Sequence, residues 1–152
     1  MGLEAVFARS MTQEYKNIFG KAFLNVTVDR VNRWVHTDWF GYLTEDNVRT
    51  GALAYTEAVR NSGFTCVLND TSRVVGGWDH SLSWVVNEWS PQAAVAGVEH
   101  FALITTPESF AEVTANNFYS SITAFEVQIF DSLGKAQQWL QQYSLRKRIL
   151  NR

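Results

Sequence analysis

The stretch from Leu43 to Asn69 restricts the fold more than any other part of the chain. Thr44 can cap a helix, and Glu45 and Asp46 put negative charge in its first turn, where the backbone dipole favours it. Leu43 and Val48 are spaced for a hydrophobic staple across that start. Val48, Ala52, Tyr55, Ala58, Val59 and Ser62 then share one face and Gly63 stands where a left-handed cap belongs, so the spacing predicts a helix over 45–62. Phe64 to Leu68 follows without any alternation. A continuous apolar run directly after a helix marks a central strand covered on both faces, as parallel strands are, and a chain that must bury one is an α/β chain.

The remaining segments extend that reading. Ala22, Leu24, Val26 and Val28 alternate with more polar neighbours, Asp29 to Asn32 turns the chain, and Arg33 to Phe40 alternates again, which together predict a hairpin. Asp79 is placed to cap a helix carrying Leu82, Val85, Val86 and Trp89 on one stripe. Pro91 and Gly97 leave either a long bent helix or two short ones joined at Ser90. Phe101 to Thr105 is a strand, with Thr106 as cap and Pro107 as first residue of a helix running to about Ser120. Phe125, Val127 and Ile129 form a strand with one wetter face, near a sheet edge, and Asp131 caps a last helix with the stripe Ala136, Trp139, Leu140 and Tyr143. The order is an N-terminal hairpin followed by αβαβαβα, an α/β fold with a mixed β-sheet and flanking helices joined by right-handed crossovers. Within residues 1–20, Leu3 to Phe7 reads equally as a short strand or a turn of helix. No repeat or linker marks a second domain, so a single domain over 1–152 is expected.

Charge and cysteine content narrow the function. A net charge of −2 argues against non-specific nucleic-acid binding and gives little pull toward anionic membranes, and no apolar run reaches the roughly 20 residues of a membrane span. No nucleic-acid or membrane-inserting role is expected. The lone Cys66, set in the apolar run, reads as a buried structural thiol in a reducing, cytoplasmic setting. Arg146, Lys147, Arg148 and Arg152 are either a basic helix end or a small anionic docking patch.

The runs "WFGYLTEDN", "FTCVLNDTS", "NEWSPQAAVAGVEHFALITTPESF" and "FEVQIFDSLGKAQQWL" resemble the small bacterial proteins of the SpoIIAA-like, or STAS-like, superfamily, particularly a single-domain branch of unassigned function. The Asn87 to Pro91 and Phe130 to Leu140 pieces are the most specific, and the resemblance covers nearly everything from residue 20 onward. It implies a four- or five-stranded mixed sheet, a cytoplasmic protein and no known catalysis. In the anti-sigma-factor antagonists of that superfamily, a Ser in an Asp-Ser-Ser-Gly context at a helix start is phosphorylated and switches partner binding. The comparable start here is Asp79-His80-Ser81-Leu82, which keeps the Asp and the second Ser but replaces the first Ser and the Gly. Ser81, and after it Ser72, are the phosphoacceptor candidates.

Three polar strand exits, Asn69 to Ser72, Thr105-Thr106 and Asp131-Ser132, should converge at the carboxyl edge of the sheet, the usual ligand crevice of such folds. The same residue types are what caps and turns require, and Asp70 and Ser72 are the two least explained that way. Gly76-Gly77 lacks phosphate-loop spacing and reads as a flexible loop or a special backbone angle. Trp78 is either folded onto the core or left out to meet a partner, and with Trp84 and Trp39 it could form an exposed aromatic patch. Asp79-His80-Ser81 has the letters of a catalytic triad, but neighbours at a helix start are expected to point apart. His36 and Asp38 share a strand face without a third metal ligand.

No cofactor, metal site or nucleophile and base pair is named by these residues, so no enzymatic activity is expected. The leading expectation is a non-catalytic interaction or regulatory module in which the 70–81 loop and the helix 82–89 dock a protein partner or a second copy, using Asp70, Ser72, Trp78, Asp79, His80, Ser81 and Trp84. The alternative is a small-molecule or lipid-binding domain. Its apolar ligand would lie in an aromatic pocket at the carboxyl edge, contacted by Asp70, Ser72 and Thr106.

Overall fold

The computed structural model describes residues 10–150, with side chains placed from 10 to 145. The Leu3 to Phe7 segment and the basic side chains from Arg146 onward lie outside that description. Six strands form one sheet in chain order: β1 (Ser10–Lys16), β2 (Ala22–Asp29), β3 (Trp34–Gly41), β4 (Cys66–Val74), β5 (His100–Ile104) and β6 (Glu126–Phe130). β1, β2 and β3 pair antiparallel, and β3 through β6 pair parallel. The resemblance implied four or five strands. The extra one is β1, whose side chains are almost all exposed, so no apolar alternation announces it. It is held by its backbone ladder and by the Thr12 and Thr27 hydroxyls, 2.8 Å apart.

Helix α1 (Glu45–Ser62) has the predicted ends. The Thr44 hydroxyl accepts from the Asn47 N–H at 3.0 Å, the Asn47 side chain returns the bond, and Gly63 adopts φ 73° at the carboxyl end. The next helical segment, α2, joins a 3-10 turn (Asp79–Ser81), an α-turn (Leu82–Trp84), a π-helical stretch (Val85–Trp89) and an α-helix (Ser90–Ala96). It is therefore continuous through Ser90. The π stretch sends the Ser90 N–H to the Val85 carbonyl and leaves that of Val86 without its α-helical donor, and the Ser90 hydroxyl fills the gap at 2.7 Å. No side-chain cap is made at its start, so Asp79 is not the predicted cap.

Helix α3 (Phe110–Ser121) starts later than predicted. Glu108 sits at φ 63°, outside helical space, and the cap is Ser109, which accepts from the Glu112 N–H at 3.1 Å, rather than Thr106. In α4 (Leu133–Leu150) the cap is Ser132, while Asp131 pairs with Lys135 at 3.0 Å.

Strand order that advances steadily in one direction, with right-handed crossovers, puts every crossover helix on the same face. Accordingly α1, α2 and α3 supply Val48, Ala52, Tyr55, Val85, Trp89 and Phe118 to one large core. Only α4 lies on the opposite face, where Ala136 and Leu140 meet Trp34, Cys66, Leu68, Ala102 and Ile104. β4 is covered on both sides as expected, and Cys66 is buried. β6 is an edge strand.

Candidate functional site

β4 runs on to Val74, so Asn69 to Ser72 belong to the strand and not to the polar loop that the sequence suggested. Side-chain alternation then separates neighbours. Asn69 and Thr71 turn toward the α1–α2 face and are buried, whereas Asp70 and Ser72 lie on the other. Asp70 accepts the Ser72 N–H at 2.9 Å, an ordinary local turn bond, and the Ser72 carbonyl accepts from the Thr106 hydroxyl at 3.1 Å. The expected trio Asp70, Ser72 and Thr106 is therefore absent from the interior.

The inner face borders a half-open cavity of about 50 Å³. Its walls include Trp39 and Asn69 from the sheet, Ala52 and Tyr55 from α1, Trp78 from the β4–α2 loop and Val85 and Trp89 from α2. That volume exceeds what one water molecule needs, yet no charged side chain lines it. Edge-to-face contacts order the rings, with centroids 6.3 Å apart for Trp39–Tyr55, 5.8 Å for Tyr55–Trp89 and 5.8 Å for Trp78–Phe118. Gly51 lets α1 approach this closely: a Cβ there would meet the Trp39 ring at 2.5 Å and the Leu24 side chain at 2.7 Å.

Two of the three indoles on the cavity wall have an acceptor. The Trp39 indole and the Thr37 hydroxyl both donate to Asn69 Oδ1, at 2.9 and 2.6 Å. The Trp89 indole donates to Thr56 at 2.8 Å, and Thr71 donates to the Ile104 carbonyl at 2.7 Å. Trp78 is buried at 7 % exposure, and its Nε1 has no partner. Burial also pushes the Tyr55 phenol well above its ordinary value.

The burial of Trp78 and Trp39 removes the expected exposed aromatic patch, because both rings are needed to close the core. Trp84 alone is half-buried, with the Arg49 guanidinium 5.4 Å from its ring. His80 and Ser81 do meet, contrary to the expectation that such neighbours point apart: His80 Nδ1 is 2.8 Å from Ser81 Oγ. His80 Nε2 lies 2.8 Å from the Leu43 carbonyl, which can only accept, so Nε2 carries the hydrogen and Ser81 donates to Nδ1. Asp79 takes no part in this pair, so no triad forms, and the link instead ties the first turn of α2 to the entrance of α1. Ser81 is buried at 3 % exposure, while Ser72 is exposed. Gly76 has φ 77°, and a Cβ on Gly77 would meet the Asp79 carboxylate at 2.9 Å, so both glycines answer to backbone geometry and close approach.

On the opposite face, β2 and β3 carry Asn25, His36 and Asp38, each with one buried polar atom lacking a partner. Asp38 bonds Arg73 at 3.1 Å. Burial holds the His36 imidazole below its ordinary value and the Asp38 carboxyl above its own. Among the described residues no group of three metal-ligating side chains occurs, and no helix is long and apolar enough to cross a membrane.

The family model described as SpoIIAA-like matches residues 34–141, which span β3 to α4 and every wall of the cavity. No curated protein and no solved structure matches the chain. With most of its length under that family model, the chain belongs to the SpoIIAA-like family, and this family suggests a regulatory or interaction domain.

Proposed function

We propose that this SpoIIAA-like chain is a non-catalytic regulatory module that binds a small apolar ligand between its sheet and helices α1 and α2. The observation that carries the reading is the aromatic cavity between the sheet and helices α1 and α2, whose wall holds no charged side chain. Leu43, Trp78 and Val85 belong to the wall and flank the His80–Ser81 link, so a bound ligand would be felt at the first turn of α2. In the anti-sigma-factor antagonists that the chain resembles, a serine at the comparable helix start controls partner binding.

Native mass spectrometry of the protein isolated from its own cells tests the reading. A small adduct on the wild type, lost when Ala52→Phe fills the cavity, is the expected result. A bare mass in both proteins, with no uptake of added apolar compounds, would sink it. A phosphoryl increment on Ser81 or Ser72 would instead support a covalent switch.

A second reading, docking of a protein partner or another copy along α2, is favoured by Trp84 alone. It is a half-exposed tryptophan backed by Arg49 and flanked by exposed Ser83, Asn87 and Glu88. Sedimentation velocity over a range of concentrations checks self-docking: a dimer that Trp84→Ala abolishes supports it, and a monomer throughout removes it.

A further inference from the structure

Strands β5 and β6 are followed by helices on opposite faces of the sheet. α3, which follows β5, packs on the face shared with α1 and α2, whereas α4, which follows β6, packs on the other. In an open α/β sheet such a reversal leaves a crevice outside the carboxyl ends of the two strands, the usual place for a ligand. Here that crevice measures about 370 Å³, room for a molecule of amino-acid size and far more than the aromatic cavity offers. Two of the three polar strand exits meet in it, at Thr105 and Asp131, and the Thr105 N–H ties the strand ends together by donating to the Phe130 carbonyl at 3.0 Å.

Its walls carry charge of both signs. Glu112 comes from α3, and Asp131 and Lys135 come from the start of α4. Glu112 Oε1 accepts the Glu108 N–H at 3.0 Å, which leaves the second carboxylate oxygen unspent. Asp131 and Lys135 pair at 3.0 Å with more than half of each side chain exposed; such a pair contributes little, so a ligand exchanges it at small cost. The amino ends of α3 and α4 add partial positive charge. Ile129 and Phe130 supply apolar surface, one from each face of β6.

From this we infer that the crevice binds a small zwitterion of the α-amino-acid class with an apolar side chain. Its carboxylate meets Lys135, its ammonium meets Glu112, and its side chain lies on Ile129 and Phe130. A lone carboxylate would face Glu112 and Asp131, and a lone ammonium would face Lys135 and the positive ends of two helices; only a molecule with both charges answers both sets. The site shares no residue with the aromatic cavity.

Four probes test this on the full chain: leucine, 4-methylpentanoate, 3-methylbutylamine and glycine, each titrated while the backbone amide resonances are followed by NMR. Leucine should bind about tenfold more tightly than the acid or the amine, with shifts confined to 105–112 and 129–136. Glycine should bind more weakly than leucine, and equal affinity overturns the apolar side chain. Lys135→Met should lower leucine affinity to that of the amine and Glu112→Gln to that of the acid, whereas Ala52→Phe, which fills the aromatic cavity, should leave it unchanged. Leucine no tighter than the singly charged probes, shifts that lie elsewhere, an affinity indifferent to both crevice variants, or binding of none of the four overturns the inference. The comparison of probes on the wild type decides the outcome even where a variant does not fold.

Discussion

The two faces of the sheet are built from alternate residues of the same strands, yet they were finished in different ways. On the face under α1, α2 and α3, the indoles of Trp39 and Trp89 and the hydroxyls of Thr37 and Thr71 each find an acceptor, while the buried Trp78 Nε1 has none. On the other face α4 packs against β4, β5 and β6, and the polar side chains of β2 and β3 keep orphaned atoms at Asn25, His36 and Asp38. A matched polar network specifies one arrangement of a core, whereas polar groups at the margin of a small core tune charge and solvation more than shape. The first face is therefore the more exactly specified of the two, and the perturbed titrating groups lie on the second.

The comparison is broken most severely at two adjacent positions of β4. Asn69→Leu leaves the Trp39 indole and the Thr37 hydroxyl buried without an acceptor and should cost about 2–5 kcal/mol, whereas Asp70→Asn, one residue on and on the opposite face, should cost less than about 1 kcal/mol. Urea unfolding of the two variants measures both, and equal losses would refute the separation of the faces. Helix glycines give the next effect, with opposite signs. Gly51→Ala drives a methyl group into Trp39 and Leu24 and should destabilise by about 1–3 kcal/mol. Gly134→Ala, in α4 with nothing within 4 Å of the new Cβ, should stabilise by up to about 1 kcal/mol, and thermal melts separate the two.

The smallest expected effect is a pH slope from His36. Desolvation lowers its folded-state pKa below 6.5, outweighing Asp38, Asp70 and Asp29, which raise it, while Arg73 lowers it further. As the pH falls through 6.5 the unfolded chain takes up the proton first and binds more protons than the folded one, so stability falls with the pH until the folded imidazole also protonates. Asp38, held above its own ordinary value, acts the other way at lower pH, where the folded state binds its proton first. His36→Gln should flatten the slope on the acid side of neutrality, measured as Tm against pH.

Much of the fold was legible because the signals are local. The Thr44 and Gly63 caps set both ends of α1, and unbroken apolarity marked β4 as central, because those features depend on a few neighbouring residues. β1 was illegible because both of its faces are wet, and the caps of α3 and α4 were displaced by one to three residues because Ser, Thr and Asp compete for that role within a single turn. Near the cavity, the sequence pointed to the exit of β4 and, there, to the residues of the opposite parity. It singled out Asp70 and Ser72 as chemically unexplained, while the cavity is lined by Asn69 and Thr71 between and beside them. The link between His80 and Ser81 likewise needed the Leu43 carbonyl, which lies 37 positions away from His80.

By itself the sequence determined the succession of elements from β2 onward, the hairpin of β2 and β3 and the membership of an α/β class, since periodicity and capping are written in residues that touch along the chain. Tertiary structure alone decided which parity of each strand faces α1 and α2, that Trp78 folds inward, and that one of three indole donors on the cavity wall is left without a partner. A period-two pattern carries no information about which face will be covered when both are partly apolar. That choice is made by the helices that arrive from elsewhere in the chain and by the volume they leave unfilled.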